Sequence, residues 1–251
     1  MILISPSKNL NIEMETVDFK FSEPKFKKKI KLLSNSLKDL DTSEFKSLMQ
    51  ISDKLVELNI NRYENFDKTK NIKKPAVFLF TGATFDGLSI RSFGEDLYDY
   101  VQKNLRILSG LYGILKPFDI IQPYRLEMGT NTVKLIKSSL YEFWSNVVSK
   151  NLNDDVKING SKYLFNLSSK EYFSVLNHKM IDAEVINFDF KTKLNNEYKN
   201  IGMQIKKMRG SMARFIIDNK IDSIEPLKDF EVNNFKFEKL LSKTNTLLFT
   251  A

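Results

Sequence analysis

The chain has 251 residues, 42% of them hydrophobic, a net charge of +8 and a pI near 9.3. That length supports one large core, and no run of about 18 apolar residues suggests a bilayer span. With no cysteine and a single histidine, His178, the composition excludes disulfides, thiolate catalysis, cysteine-ligated metal clusters and a histidine-rich metal site.

A carboxylate-only magnesium or manganese site stays open on composition, but no ligand set stands out, and no cofactor is expected. The basic balance favours a polyanion partner, because Lys and Arg gain by displacing counterions from phosphate. Abundant Lys alongside Asn, Ile and Phe is equally what an AT-rich coding sequence produces.

Met1 to Ser5 reads as a buried first strand rather than a leader, followed by a loop from Pro6 to Asn9. Phe26 to Leu40 has helical spacing, with Lys27, Lys28, Lys29 and Lys31 on a solvated face. Asp41 stands three residues before Glu44, a capping box that opens a second helix, and Ile51 to Phe66 continues helically. The apolar run Pro75 to Thr81 predicts a central strand covered on both faces. Ser92 and Glu95 predict another capping box, with a helix to about Asn104, and Leu105 to Leu108 returns as strand.

Leu140 to Leu152 is an amphipathic helix carrying the single tryptophan, Trp144. Lys162 to Leu167 is a strand, with Ser168 and Glu171 capping a short helix behind it. Glu184 to Phe190 and Tyr198 to Lys206 alternate as strands around a turn at Asn195-Asn196. Ser211 to Asn219 is a helix, and Thr246 to Phe249 a last strand. Interleaved strands and helices predict an α/β or α+β fold: a mixed sheet flanked by helices, as one domain over residues 1–251.

Leu105 to Gly129, LRILSGLYGILKPFDIIQPYRLEMG, carries the strongest chemical signal. A strand, two glycines and two prolines lead into Tyr124, Arg125 and Glu127, a mixture typical of a site on a loop held by a scaffold. Arg125 can grip phosphate or carboxylate with two bonds, and Glu127 can orient it or act as a base. An internal ion pair tying down the loop is the structural alternative. Tyr124 either stacks on a base or fills the core. Lys8 lies in a loop leaving a strand end. Lys206, Lys207, Arg209 and Arg214 bracket Gly210 at an expected strand-to-helix junction, where helix amides from Ser211 onward would favour phosphate. No nucleophile–histidine pair, phosphate-binding loop or dinucleotide fingerprint is present.

These blocks resemble, in order, the bacterial YaaA family. They comprise Ile4-Ser5-Pro6-Ser7-Lys8, Phe80-Thr81-Gly82 with Phe85 and Gly87-Leu88, the Leu105–Gly129 segment, Asn166 to Ser169 with Glu171-Tyr172-Phe173, and Lys206 to Arg214. Asn9 replaces the Thr more usual in that family, and Ala83 stands where an acid is common.

The resemblance implies an unusual family-specific fold and a cytoplasmic peroxide stress protein that binds double- or single-stranded DNA through a basic cleft. Such a protein would protect DNA or help repair it, and would limit iron-promoted damage indirectly. The resemblance also implies a helix–hairpin–helix-like element, placed here at Ser109 to Lys116, with Gly110, Gly113 and Lys116 near phosphate; a plain tight turn is the alternative reading. The DNA-contact set is therefore Lys8, Gly110, Gly113, Lys116, Tyr124, Arg125, Lys206, Lys207, Arg209 and Arg214. The competing expectation is an enzyme acting on a nucleotide or damaged base, with Lys8, Arg125 and Glu127 as the candidate catalytic residues. A monomer with no membrane partner is expected in either case.

Overall fold

The computed structural model describes residues 1–13, 19–195, 197–238 and 245–251. The chain opens with β1 (Ile2–Ile4), whose three residues are all buried. Three helices follow: α1 (Lys27–Lys38), α2 (Thr42–Met49) and α3 (Asp53–Glu64). The predicted capping box starts α2. The Asp41 carboxylate accepts from the Ser43 and Glu44 amides, both at 2.8 Å, and the Glu44 carboxylate accepts from the Asp41 amide at 3.0 Å.

Next come β2 (Lys74–Pro75), α4 (Ala76–Leu79), α5 (Ala83–Leu88) and α6 (Tyr98–Asn104). They lead into β3 (Leu105–Ser109), β4 (Gly113–Leu115) and β5 (Ile120–Ile121). The short α7 (Val133–Ile136) precedes the long α8 (Leu140–Ile158). Then follow β6 (Tyr163–Leu167), α9 (Lys170–Phe173), β7 (Glu184–Leu194), β8 (Glu197–Lys199), α10 (Gly202–Asp218), β9 (Lys236–Phe237) and β10 (Thr246–Thr250).

One mixed sheet organises these elements in the order β4-β3-β1-β6-β7-β10-β9, with β8 folded back on β7. Its centre, β3-β1-β6-β7-β10, is parallel, and β4 and β9 close the two ends antiparallel. From β1 the chain travels first to β3 on one side and later to β6 on the other. The β1/β6 boundary is therefore a switch point, where connections leaving in opposite directions open a crevice at the strands' carboxyl ends. Helices α5 and α10 cross there at backbone contact. A Cβ on Gly210 would lie 1.8 Å from the Thr84 carbonyl oxygen, and one on Gly87 would lie 2.2 Å from that of Lys207.

Several sequence expectations are corrected. Pro75 to Thr81 is not a central strand: β2 pairs only with β5, and the apolar run coils into the single turn of α4. Both places beside β1 are taken by β3 and β6. The Ala76 and Val77 amides instead donate to Asp119 and Pro117 carbonyls. A short, wholly buried apolar run looks the same in either conformation.

Ser92 is not an N-cap. Its hydroxyl donates to the Ser89 carbonyl, and α6 starts only at Tyr98. Ser169, not Ser168, caps α9, accepting from the Tyr172 amide, while the buried Ser168 donates to Asn166. Of the second predicted C-terminal strand, Tyr198 to Lys206, only Tyr198 and Lys199 pair with β7, together with the preceding Glu197. From Gly202 the chain is α10, because Met208, Met212 and Ile216 repeat at helical spacing on its buried side. Asn195 does sit in the turn, whereas Asn196 lies outside the described residues.

Ser109 to Lys116 is a β-hairpin, β3 to β4, rather than a helix–hairpin–helix. Its glycines serve packing. Gly110 lies under Leu126, and Gly113, at φ +76°, faces the Trp144 ring. Trp144 is fully buried and donates to the Gly110 carbonyl at 2.8 Å.

Candidate functional site: a cationic pocket at the switch point

Loops leaving the adjacent ends of β1 and β6 meet at the crevice. The Ser5 hydroxyl oxygen accepts from the Ser169 amide at 2.8 Å and pins the two loops together. Against them lies the Tyr124–Glu127 segment, strapped from beneath. The buried Tyr63 hydroxyl donates to the Arg125 carbonyl at 2.9 Å, and the Tyr124 and Ser109 hydroxyls bond at 2.7 Å. Residues 82–84 and one face of α10 complete a cavity of about 390 Å³.

Lys8, Tyr124, Arg125, Glu127, Lys206 and Arg209, spread over two hundred residues of sequence, line this one cavity. The Glu127 carboxylate is bonded on both oxygens, to Lys8 Nζ at 2.7 Å and to an Arg125 terminal nitrogen at 2.8 Å. The Arg–Glu ion pair of the structural alternative therefore exists, and both of its side chains line the pocket. Arg125 Nε and Arg209 Nε are buried, and neither has a hydrogen-bond partner. A buried donor left unpaired costs stability comparable to a lost hydrogen bond, and such groups in folded proteins call for a reason. Burial also holds the Arg209 guanidinium below its ordinary pKa, against the pull of Asp189. The Tyr124 and Tyr172 phenols are pushed well up by burial, so both stay neutral hydrogen-bonding groups.

The other predicted contacts lie elsewhere. Gly110 and Gly113 are buried in the hairpin, and the exposed Lys116 follows it outside the cavity. Lys207 lines a separate depression with Thr192 and Gln204. Arg214 is committed to structure, pairing with Asp218 at 2.7 Å, donating to Ser89 and Ser92, and covering the Phe93 ring at 4.1 Å. Gly210 is a helix-crossing residue, and Ser211 lies within α10, so no helix N-terminus stands at that cluster.

Sequence reasoning missed the pocket roles of Ser5, Thr84, Glu171, Tyr172 and Met203. Ser5 was detectable as the first polar residue after a buried strand. Glu171 was read as a cap, whereas its carboxylate accepts from the Gly129 amide at 3.0 Å and lines the pocket wall.

No helix among the described residues is long and apolar enough to cross a membrane. A family model described as "Peroxide stress protein YaaA" matches residues 1–241. A UPF0246 protein of Francisella philomiragia is 39% identical, the match covering 100% of this chain and 99% of that one. UPF0246 proteins of Flavobacterium psychrophilum and Aliivibrio fischeri are 41% and 40% identical, each match covering 99% of this chain and 99% and 97% of the respective relative. With the family's sequence blocks converging on one pocket and the similarity running the whole length, the chain belongs to the YaaA family of peroxide stress proteins.

Proposed function

We propose that the switch-point pocket binds phosphate groups of DNA, and that this protein serves peroxide stress defence as a DNA-binding protein. The observation that carries the reading is the gathering of four cations, Lys8, Arg125, Lys206 and Arg209, around one cavity. Four cations there face two carboxylates, Glu127 and Glu171, leaving an excess of positive charge for an anion. A phosphate would be held by charge-assisted bonds from the Lys8 and Lys206 ammonium groups and from the guanidinium ends of Arg125 and Arg209. DNA contact is thereby concentrated on Lys8, Arg125, Lys206 and Arg209, with Tyr124 at the floor.

The test is a salt series of binding to duplex, single-stranded and junction DNA. Wild type should bind with a steep salt slope, Arg209→Ala should weaken binding and flatten that slope by about one ion, and Lys207→Ala should change little. Equal loss in both variants would mean that diffuse surface charge, not the pocket, carries affinity. A second reading keeps one specific observation, Glu127 held between two cations in the pocket: an enzyme acting on a nucleotide, with Lys8, Arg125 and Glu127 at the reacting group. Product formation from nucleotides or damaged DNA, abolished by Glu127→Gln, is the outcome that would favour it.

A further inference from the structure

The cationic pocket does not end at Glu127 and Glu171. A second cavity of about 920 Å³ opens on their far side, and the two side chains line both spaces. Its walls come from α2, the residues after Met128, and α7. Leu48, Met49 and Leu135 offer apolar surface, and Ser47, Thr130 and Asn131 offer hydroxyl and amide groups.

The two chambers differ in charge, the four cations lying on the inner side of the shared Glu127 and Glu171. The inner one sets Lys8, Arg125, Lys206 and Arg209 against two carboxylates. The outer one sets Lys134 against Glu44, Glu127 and Glu171. An anion is therefore drawn inward and disfavoured outside. The inner chamber is also closed at its floor by Tyr124, Leu126 and Leu167, all buried. A phosphodiester chain running through would meet that floor, whereas a terminal phosphate would not. The outer chamber combines apolar walls, which suit a planar ring, with carboxylates that accept from hydroxyl or ring N–H donors.

We infer that this site takes one nucleotide unit by its terminal phosphate: the phosphomonoester in the inner chamber on Arg125 and Arg209, the nucleoside in the outer chamber beside Leu48 and Met49. The inference rests on the anion-pocket reading above and deepens it. The same chemistry belongs to a free mononucleotide and to the 5′-phosphorylated end of a strand.

Calorimetric titration with the four deoxynucleoside 5′-monophosphates, the matching nucleosides, ribose 5-phosphate, and oligonucleotides with and without a 5′-phosphate tests it. At least one monophosphate should bind about tenfold or more tighter than its nucleoside and than ribose 5-phosphate. A matching preference for the phosphorylated oligonucleotide identifies strand ends as the source. Equal binding of the two oligonucleotides identifies the free nucleotide. Ser47→Phe projects a ring into the outer chamber beside Leu48 from an exposed helix position. It should bring nucleotide affinity down to that of ribose 5-phosphate, with the melting temperature unchanged. Monophosphates that bind no better than nucleosides, or a Ser47→Phe variant with full nucleotide affinity, overturn the inference. If Arg209→Ala still weakens DNA binding in that case, the DNA reading survives alone; if it does not, both readings fall.

Discussion

Gly210→Ala separates two roles for a glycine set among cations. If Gly210 belonged to an amide-lined phosphate loop, alanine would alter binding and leave packing alone. In the structure its Cα faces the α5 backbone. An added Cβ would lie 1.8 Å from the Thr84 carbonyl oxygen and 2.8 Å from the Leu88 amide nitrogen, where ordinary contact begins at 3.4 Å. No rotamer relieves a clash between backbones, so α10 must retreat from α5 by more than an ångström. Overpacking of this kind costs about 1–3 kcal/mol and occasionally more. Alanine returns about 1 kcal/mol of helix propensity. At the upper end of that range, where a clash between backbones falls, the net loss is about 2 kcal/mol, a melting temperature about 4–8 °C lower for a chain of this size. Scanning calorimetry reads that shift directly. Gly202→Ala on the same helix, where a Cβ meets nothing within 4 Å, should show no loss. DNA affinity should fall with Gly210→Ala as well, because Arg209 moves with the displaced helix. A Gly210→Ala variant that melts above wild type, as an open helical glycine would, refutes the crossing argument.

The buried pair Arg106–Asp155, bonded at 2.7 Å, gives a second expectation. Arg106→Met strands a buried carboxylate and should cost about 3–5 kcal/mol by urea unfolding, whereas Arg106→Met with Asp155→Leu should recover most of it; a double variant no better than the single would contradict this. Trp144→Phe removes the bond to the Gly110 carbonyl beneath the site segment and should cost about 1–3 kcal/mol. A melting temperature equal to wild type would show that bond to be dispensable. Burial raises the Asp119 carboxyl above its ordinary 3.8, despite bonds from Ser22 and the Lys116 amide. The folded chain thus keeps a proton there after the unfolded chain has lost it, so this residue's contribution declines as pH rises through that window. Unfolding of wild type and Asp119→Asn from about pH 4 to 7 should show wild type losing ground to the variant with rising pH; a constant gap would count against it.

Local signals determined part of this protein outright. The capping box at Asp41, the buried strands at both termini and the amphipathic helix around Trp144 depend on neighbours within a few residues, and each formed as its pattern required. Arg125 and Glu127 were legible as chemistry because their spacing places them together on any extended segment. Competition for space decided the rest. Ala76–Leu79 has strand composition, but β3 and β6 hold both places beside β1, so the run coils. Reading Tyr198 to Lys206 as a strand hid how the cations at 206–214 divide. On a helix, Lys206 and Arg209 are three apart and share a face, while Lys207 and Arg214 point away from it. The meeting of Lys8 with Arg125 and Arg209 is a property of the parallel crossovers alone. Only the order of strands about β1 brings residues separated by two hundred positions to one pocket.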